Sequence, residues 1–499
     1  MRRWAPLLVA ALAVMVAAVL LASVAGASAG SCTDTWTGVN GQSWFVASDW
    51  STNAVPTSTD VVCWGSTSGP TIPNGSGAAA AGSIQGDSSL TIGGSGASLT
   101  LSSTTDDSTL AGLSVQSGGT LTVPSGDDLT LGDSTISGTV TGAGTLTSVG
   151  YSTVASGGTL STDAVDVTAE RLTVDSGATY GVSGSTTVSG GTLSMGPSDA
   201  STGDLTIGGG MLNGSGAVAV AGAFSWTSGS LSGGISISQS GGGSFSISGT
   251  SQEDFYGASV TTTSPVSITN TSLVSAYTST LTTTSTVAFA PGTYEQNGGV
   301  SLVISAPGFV TSGDTTLQNF SLHLTGDQSS LGGSLTAPVL DTDASTKLTV
   351  PSGDDLTLGD STISGTVTGA GTLTSAGYST VVSGATLSTD EVAVTSARLT
   401  VDSGATYGVS GSTTVSGGSL SIGPSDASTG DLTIDGGTLT GAGAVSVSGA
   451  FSWTAGQISG GSRSASRAVA RSRSQAPAAS TSTARRSRPP VRSRSPTRR

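Results

Sequence analysis

Four pairs of aspartates could supply acid and base chemistry: Asp127 with Asp128, Asp354 with Asp355, Asp106 with Asp107, and Asp341 with Asp343. Glycoside hydrolysis needs two carboxylates roughly 5 to 10 Å apart, one to protonate the leaving group and one to attack or to activate water. Each pair, however, stands beside Gly, Ser or Thr in a turn-like stretch, where aspartate is expected for backbone reasons alone. Turn use is the simpler reading. His323 is the only histidine and lies in the alternating run Leu322-His323-Leu324. Nothing in the sequence sets a nucleophilic serine and an orienting acid beside it, so it reads as a strand residue.

Basic residues are scarcer still. Between Gly30 and Gly461 there are only Arg171, Lys347 and Arg398, too few to hold and deprotonate an acidic sugar chain, which argues against a uronate lyase. Gly93-Gly94-Ser95-Gly96-Ala97-Ser98-Leu99 approaches the calcium-binding nonapeptide of β-rolls, but serine stands where the ligand carboxylate belongs and the motif is not tandem. No metal site is expected from it. Cys32 and Cys63 are the only cysteines, and in an exported chain such a pair favours one disulfide. Around them Trp36, Trp44, Trp50 and Trp64 concentrate four of the seven tryptophans. These rings could form a glycan-stacking platform, or an aromatic plug closing the first coil of a stack; the plug is the plainer reading. Asn74, Asn213 and Asn270 open Asn-x-Ser/Thr triplets, which matter only in a glycosylating host.

The elements that position these residues are repeats. A shift of 227 positions maps Leu121–Gly234 onto Leu348–Gly461, with 18 differences in 114 positions. Within each cassette short runs such as Leu121-Thr122-Val123, Leu129-Thr130-Leu131 and Leu172-Thr173-Val174 alternate apolar with small polar residues, the pattern of a strand with one buried face. Ser-Gly, Gly-Gly and Asp-Ser-Gly turns separate them. With 75 glycines, 35 % hydrophobic and 4 % aromatic residues, thick globular cores are excluded. Strands this short with turns this tight fit an all-β parallel β-helix, or β-solenoid, of about three strands and about 20 residues per coil, spanning 76–461. About 19 coils would make a rod near 90 Å long.

The opening segment, with Trp36, Trp44, Trp50, Val55-Pro56 and Asp60-Val61-Val62, resembles the start of many large secreted bacterial β-helix proteins. The segments GGTLSMGPSDASTGDLTIGGGMLNGSGAVAVAGAFSWTSGSLSGG and GGSLSIGPSDASTGDLTIDGGTLTGAGAVSVSGAFSWTAGQISGG look like the coils of such proteins of the adhesin and autotransporter-passenger type. The resemblance implies the solenoid. It implies little about activity, because that architecture hosts adhesins, hydrolases, lyases and spacers alike.

Arg2 and Arg3, the apolar run from Trp4 to about Ala25, and Ala27-Ser28-Ala29 read as a signal peptide over 1–29, so a secreted or cell-surface location is expected; an uncleaved anchor is the other reading of that run. A tryptophan-rich, disulfide-bonded cap follows over 30–75. From Gly30 to Gly461 there are 3 bases against 31 acids, a net of −28, which repels nucleic acid and anionic membrane and favours diffuse binding of divalent cations rather than a cofactor. The tail, 462–499, carries 11 arginines and no acid. Position by position, all of it except Ala479 and Ser480 follows from codons for Ile235 to Ser272 read one base late, so it is expected to be a disordered frameshift product and no nucleic-acid binder. The expected function is a structural or adhesive rod contacting glycans or cell-surface components, without catalysis. The alternative is a β-helical, glycoside-hydrolase-like enzyme using the turn carboxylates.

Overall fold

The strands form where the alternation places them. In Thr120–Val123, Arg171–Val174 and Arg398–Val401 the Leu and Val side chains are buried while the residues between them stay outward. Successive strands then pair in parallel and in register: Leu121 with Val140, Val140 with Leu160, Leu160 with Tyr180. The computed structural model describes residues 31–460 apart from 68, 270–272, 278 and 296–301, with the backbone alone of 273–277, 295 and 463–466. It is a parallel β-solenoid of about 19 turns, with no α-helix among the described residues. The expected signal segment, the 1–29 region, and most of the arginine-rich tail lie outside the described residues.

Each coil presents three strands, one to each face of the rod. Near the first cassette these are Thr120–Val123 and the two halves of Asp128–Ile136, which pair onward to Thr145–Ser148 and Tyr151–Val154. Most buried Leu, Val and Ile side chains meet another aliphatic residue in an adjacent coil, as Leu129 meets Leu146 and Leu172 meets Leu193. Burial of such a side chain stabilises by roughly 1.5 to 3 kcal/mol, so stability accumulates between neighbours along the rod without large aromatic cores. At corners where successive coils touch, glycine is required. Gly142 and its counterpart Gly369 hold φ of +135° and +129°, and a Cβ on either would strike the backbone of Val123 or Val350. The interior also repeats a polar chain. The Tyr180 hydroxyl lies 2.9 Å from Thr186 Oγ1, which donates to Thr202 Oγ1, which donates to the Asp204 carbonyl; Tyr407, Thr413, Thr429 and Asp431 do the same.

The two cassettes occupy different faces. One ladder runs unbroken from Thr120–Val123 through Val140, Leu160, Tyr180 and onward to Ser321–Leu324, Val339–Thr342, Thr362–Ile363 and Tyr378–Val381. In the first cassette the counterpart of Tyr378–Val381 is Tyr151–Val154, which belongs to another face. The strand Lys347–Thr349, counterpart of Thr120–Val123, pairs with Thr366–Ser375 instead of joining this ladder. The offset between cassettes therefore spans 11 coils and one further face. The second cassette is turned by a third of a revolution and displaced by about 54 Å at about 4.8 Å per coil.

The tryptophan segment starts the stack. Strand Asp34–Thr35 pairs in parallel with Val61–Trp64, which pairs with Ser83–Ile92. Cys32 and Cys63 are joined by a disulfide. Trp36 and Trp44 each meet Trp50 edge to face with ring centroids 4.9 Å apart, and Trp50 Nε1 donates to the Trp44 carbonyl at 2.8 Å. Asp34, buried beneath, accepts from Ser51 Oγ and from the amide and hydroxyl of Thr52.

Candidate functional site

The carboxylates act mainly as staples between coils. Asp133 and Asp360 accept from the amides of Tyr151 and Tyr378 at 2.8 and 2.7 Å, and Asp204 and Asp431 from those of Ala223 and Ala450. Asp106 closes a turn by donating its amide to Ser103 Oγ. Asp127 differs: its side chain is buried, Ser108 Oγ donates to one oxygen at 3.1 Å, and the other oxygen is buried without a hydrogen-bond partner. Burial pushes its carboxyl up to about 7, with the charges of Asp107 and Asp128 adding to the shift. Burial also raises Asp128, which accepts from Thr147 Oγ1 at 2.8 Å, and Asp166. Such an acid beside a charged neighbour is half of what glycoside hydrolysis needs, but Asp127 is covered by the rod surface and does not reach a substrate. At the equivalent positions 227 residues on, Leu335 stands for Ser108, just ahead of the second cassette, and Ala393 for Asp166, so this environment is not repeated.

His323 has company that its sequence neighbourhood hides. Register places Ser305 on one side of it and Asp341 on the other, and its Nε2 lies 3.0 Å from Asp343 Oδ1. A Ser-His-Asp row thus stands on one outward face. Acyl transfer also needs free amide donors aimed at the developing oxyanion, and the amides of a paired strand lie in the sheet plane, engaged with the adjacent coils.

The tryptophans Trp36, Trp44, Trp50 and Trp64 are buried, so their ring faces are packed against one another and the first coils rather than offered to a sugar. A recess of about 460 Å³ near the end of the second cassette is lined by Val409, Ser410, Ser428, Ser446 and Ser448, with no titratable side chain. Among the described residues no group of His, Cys, Asp or Glu converges to hold a metal, and no helix is long and apolar enough to cross a membrane.

A different constellation reaches solvent twice. Among the described residues, Tyr151 and Tyr378 are the most exposed large hydrophobic side chains of the solenoid coils, at 62 % and 68 %. Each pairs in the ladder with an arginine of the next coil, Tyr151 with Arg171 and Tyr378 with Arg398. Asp133 and Asp360 fix the tyrosine backbones from the coil before. Two of the three basic residues of the body therefore flank the two tyrosines that are exposed among the described residues. The residue before each arginine, Glu170 or Ala397, holds a left-handed backbone with φ of +42° or +44°. That conformation costs a non-glycine residue on the order of 1 kcal/mol and aims the following strand under the tyrosine. A hydrogen bond to Glu170 raises the Tyr151 hydroxyl above its usual range; alanine stands there in the second cassette.

No family model, curated protein or solved structure matches this chain.

The Asp–Tyr–Arg rows are the outward arrangement that recurs once per cassette. The sequence carried a signal for them that went unused: Arg171 follows Tyr151, and Arg398 follows Tyr378, at the interval of one coil, so each pair of side chains falls on one column.

Proposed function

We propose that this protein is a secreted or cell-surface β-solenoid rod, structural and adhesive in role, that binds through its two Asp–Tyr–Arg rows. The observation that carries this reading is the repetition of an outward tyrosine against an arginine, once per cassette, on strands whose other outward positions are largely Ser and Thr. An exposed ring offers a flat apolar face with a polar tip. The guanidinium beside it offers a planar fork of donors. Together they suit a sugar ring: its C–H face on the tyrosine, neighbouring hydroxyls on the arginine. The net of −28 disfavours acidic polysaccharides and points to neutral glycans. The resemblance of the opening segment and the coils to bacterial adhesin and autotransporter-passenger proteins agrees with export and with this role. Because the rows face directions a third of a turn apart, one flat surface cannot engage both. The rod would bridge two ligands or two strands of one flexible polymer.

Binding of the secreted protein to a neutral-glycan array and to cell surfaces tests the reading. Tyr151→Ala combined with Tyr378→Ala should reduce binding at least tenfold, in line with loss of central aromatic contacts, while leaving the β-sheet circular dichroism intact. Unchanged binding by the double variant, or hydrolysis of the array glycans, would overturn it.

A further inference from the structure

The end of the second cassette lies open in a way the first cassette explains. Phe224 and Trp226 are fully buried, 0 % exposed, because the next coil covers them: Phe245 stacks on Phe224 with centroids 4.5 Å apart, and Phe255 meets Trp226 edge to face at 4.8 Å. Their counterparts Phe451 and Trp453 occupy the same positions in the identical stretch Gly-Ala-Phe-Ser-Trp-Thr, yet they are 40 % and 51 % exposed. The strand Phe451–Ile458 is exposed along nearly its whole length, whereas Phe224–Ser232 is mostly covered. Side chains selected to be interior thus stand at a surface.

What would cover them is legible at an offset of 227 positions. Phe245 and Phe255 correspond to Ser472 and Ser482. Serine is what the phenylalanine codon TTC yields when read one base late, and the same shift relates nearly the whole of Ile235 to Ser272 to the tail. We propose that the open end is a docking surface for one further solenoid coil of the Ile235–Tyr256 type, and that the DNA after the Gly461 codon encodes that coil in the neighbouring frame. Its two phenylalanines would lie on Phe451 and Trp453 as Phe245 and Phe255 lie on theirs. The first strand of such a coil is already in place: Ala444–Val447 pairs with Arg463–Ser466 in the register in which Ala217–Val220 pairs with Ser236–Gln239. The parallel ladder would then extend over Phe451–Ile458 as well. This rests on the duplicated cassettes and not on the glycan-binding reading.

Among the described tryptophans, Trp36, Trp44, Trp50, Trp64 and Trp226 are buried and Trp453 is not, so collisional quenching of fluorescence reports the open end. In the full chain acrylamide should quench a component that Trp453→Phe removes. A chimera in which 462–499 is replaced by the protein's own residues 235–272 should lose that component, shift its emission to the blue and melt at higher temperature. Replacing the grafted counterparts of Phe245 and Phe255 by serine should restore quenching while the β signal stays. Quenching of Trp453 unchanged in a folded chimera would overturn the proposal. So would finding Trp453 already shielded in the full chain, whether in a monomer, where its own tail covers it, or in a dimer, where a second copy does. Should the chimera not fold, sequencing the locus decides: homology to the Ile235–Ser272 segment in the neighbouring frame supports the proposal, and its absence overturns it.

Discussion

Burial of Asp127 between Ser108 and the turn that follows Pro124 leaves a carboxyl that titrates near neutrality. Its folded pKa, about 7, lies above the ordinary 3.8. Between those values the folded state holds a proton that the unfolded chain has released, so stability falls as pH rises through this window. The loss is complete above pH 7 and amounts to at most about 4 kcal/mol for a shift of this size. Asp128 and Asp166, raised by the same cause, act in the same direction. Asp127→Asn should therefore be more stable than the parent at pH 8 and close to it at pH 4, measured by denaturant unfolding at both; a parallel offset at the two values would show that Asp127 does not titrate. Of the carboxylate pairs expected in turns, Asp106, Asp107, Asp127, Asp343 and Asp354 lie between strands, whereas Asp128, Asp341 and Asp355 lie within strands. The odd behaviour of Asp127 was not legible in the sequence, because it depends on Ser108, which lies far back in the sequence and becomes a neighbour only once the coil closes.

At the scale of the element, the first coils depend on their aromatic plug and disulfide. Trp50 sits between Trp36 and Trp44, and truncating a buried ring of this size costs about 3 to 5 kcal/mol. A disulfide closing a loop of about 30 residues contributes roughly 3 to 4 kcal/mol in the chain-entropy account. Reduction of Cys32–Cys63, or Trp50→Ala, should thus expose amides of Asp34–Thr35 and Val61–Trp64 to hydrogen exchange while the coils of the second cassette stay protected, since a solenoid couples only neighbours. Uniform loss of protection along the chain would contradict this. The alternation of Leu and Val with Thr made the parallel strands and the mean coil length readable. It did not reveal the turn between cassettes, because individual coils differ in length: Ala200 pairs with Val218 in a short one, Ile237 with Val260 in a long one. Those increments accumulate to a third of a revolution that no single repeat displays. The Tyr–Arg rows stayed hidden for the same reason: partners one coil apart in sequence are adjacent only when the phase of the coil is known.

For the whole molecule, the body sets 31 acids against 3 bases, and like charges meet between coils, as where Asp107 and Asp166 act on Asp128. Screening and diffuse binding of divalent cations relieve that repulsion. The melting temperature should rise gradually with Mg²⁺ or Ca²⁺ up to several millimolar, without a saturating step; no change from chelator to that range would contradict the expectation. Such a rod resists bending, and this gives the two outward rows a fixed spacing and a fixed angle, the property on which bridging two ligands depends. Since Cys32 and Cys63 are bonded to each other, thiols introduced by Tyr151→Cys and Tyr378→Cys are free for paired spin labels. Pulsed electron–electron resonance between them measures the central claim directly. One continuous stack through both cassettes requires a single, narrow distance between about 54 and 60 Å, set by 11 coils and one face at about 4.8 Å per coil. A distance below about 40 Å, or a distribution spread over tens of ångströms, would mean that the cassettes fold as separate bodies.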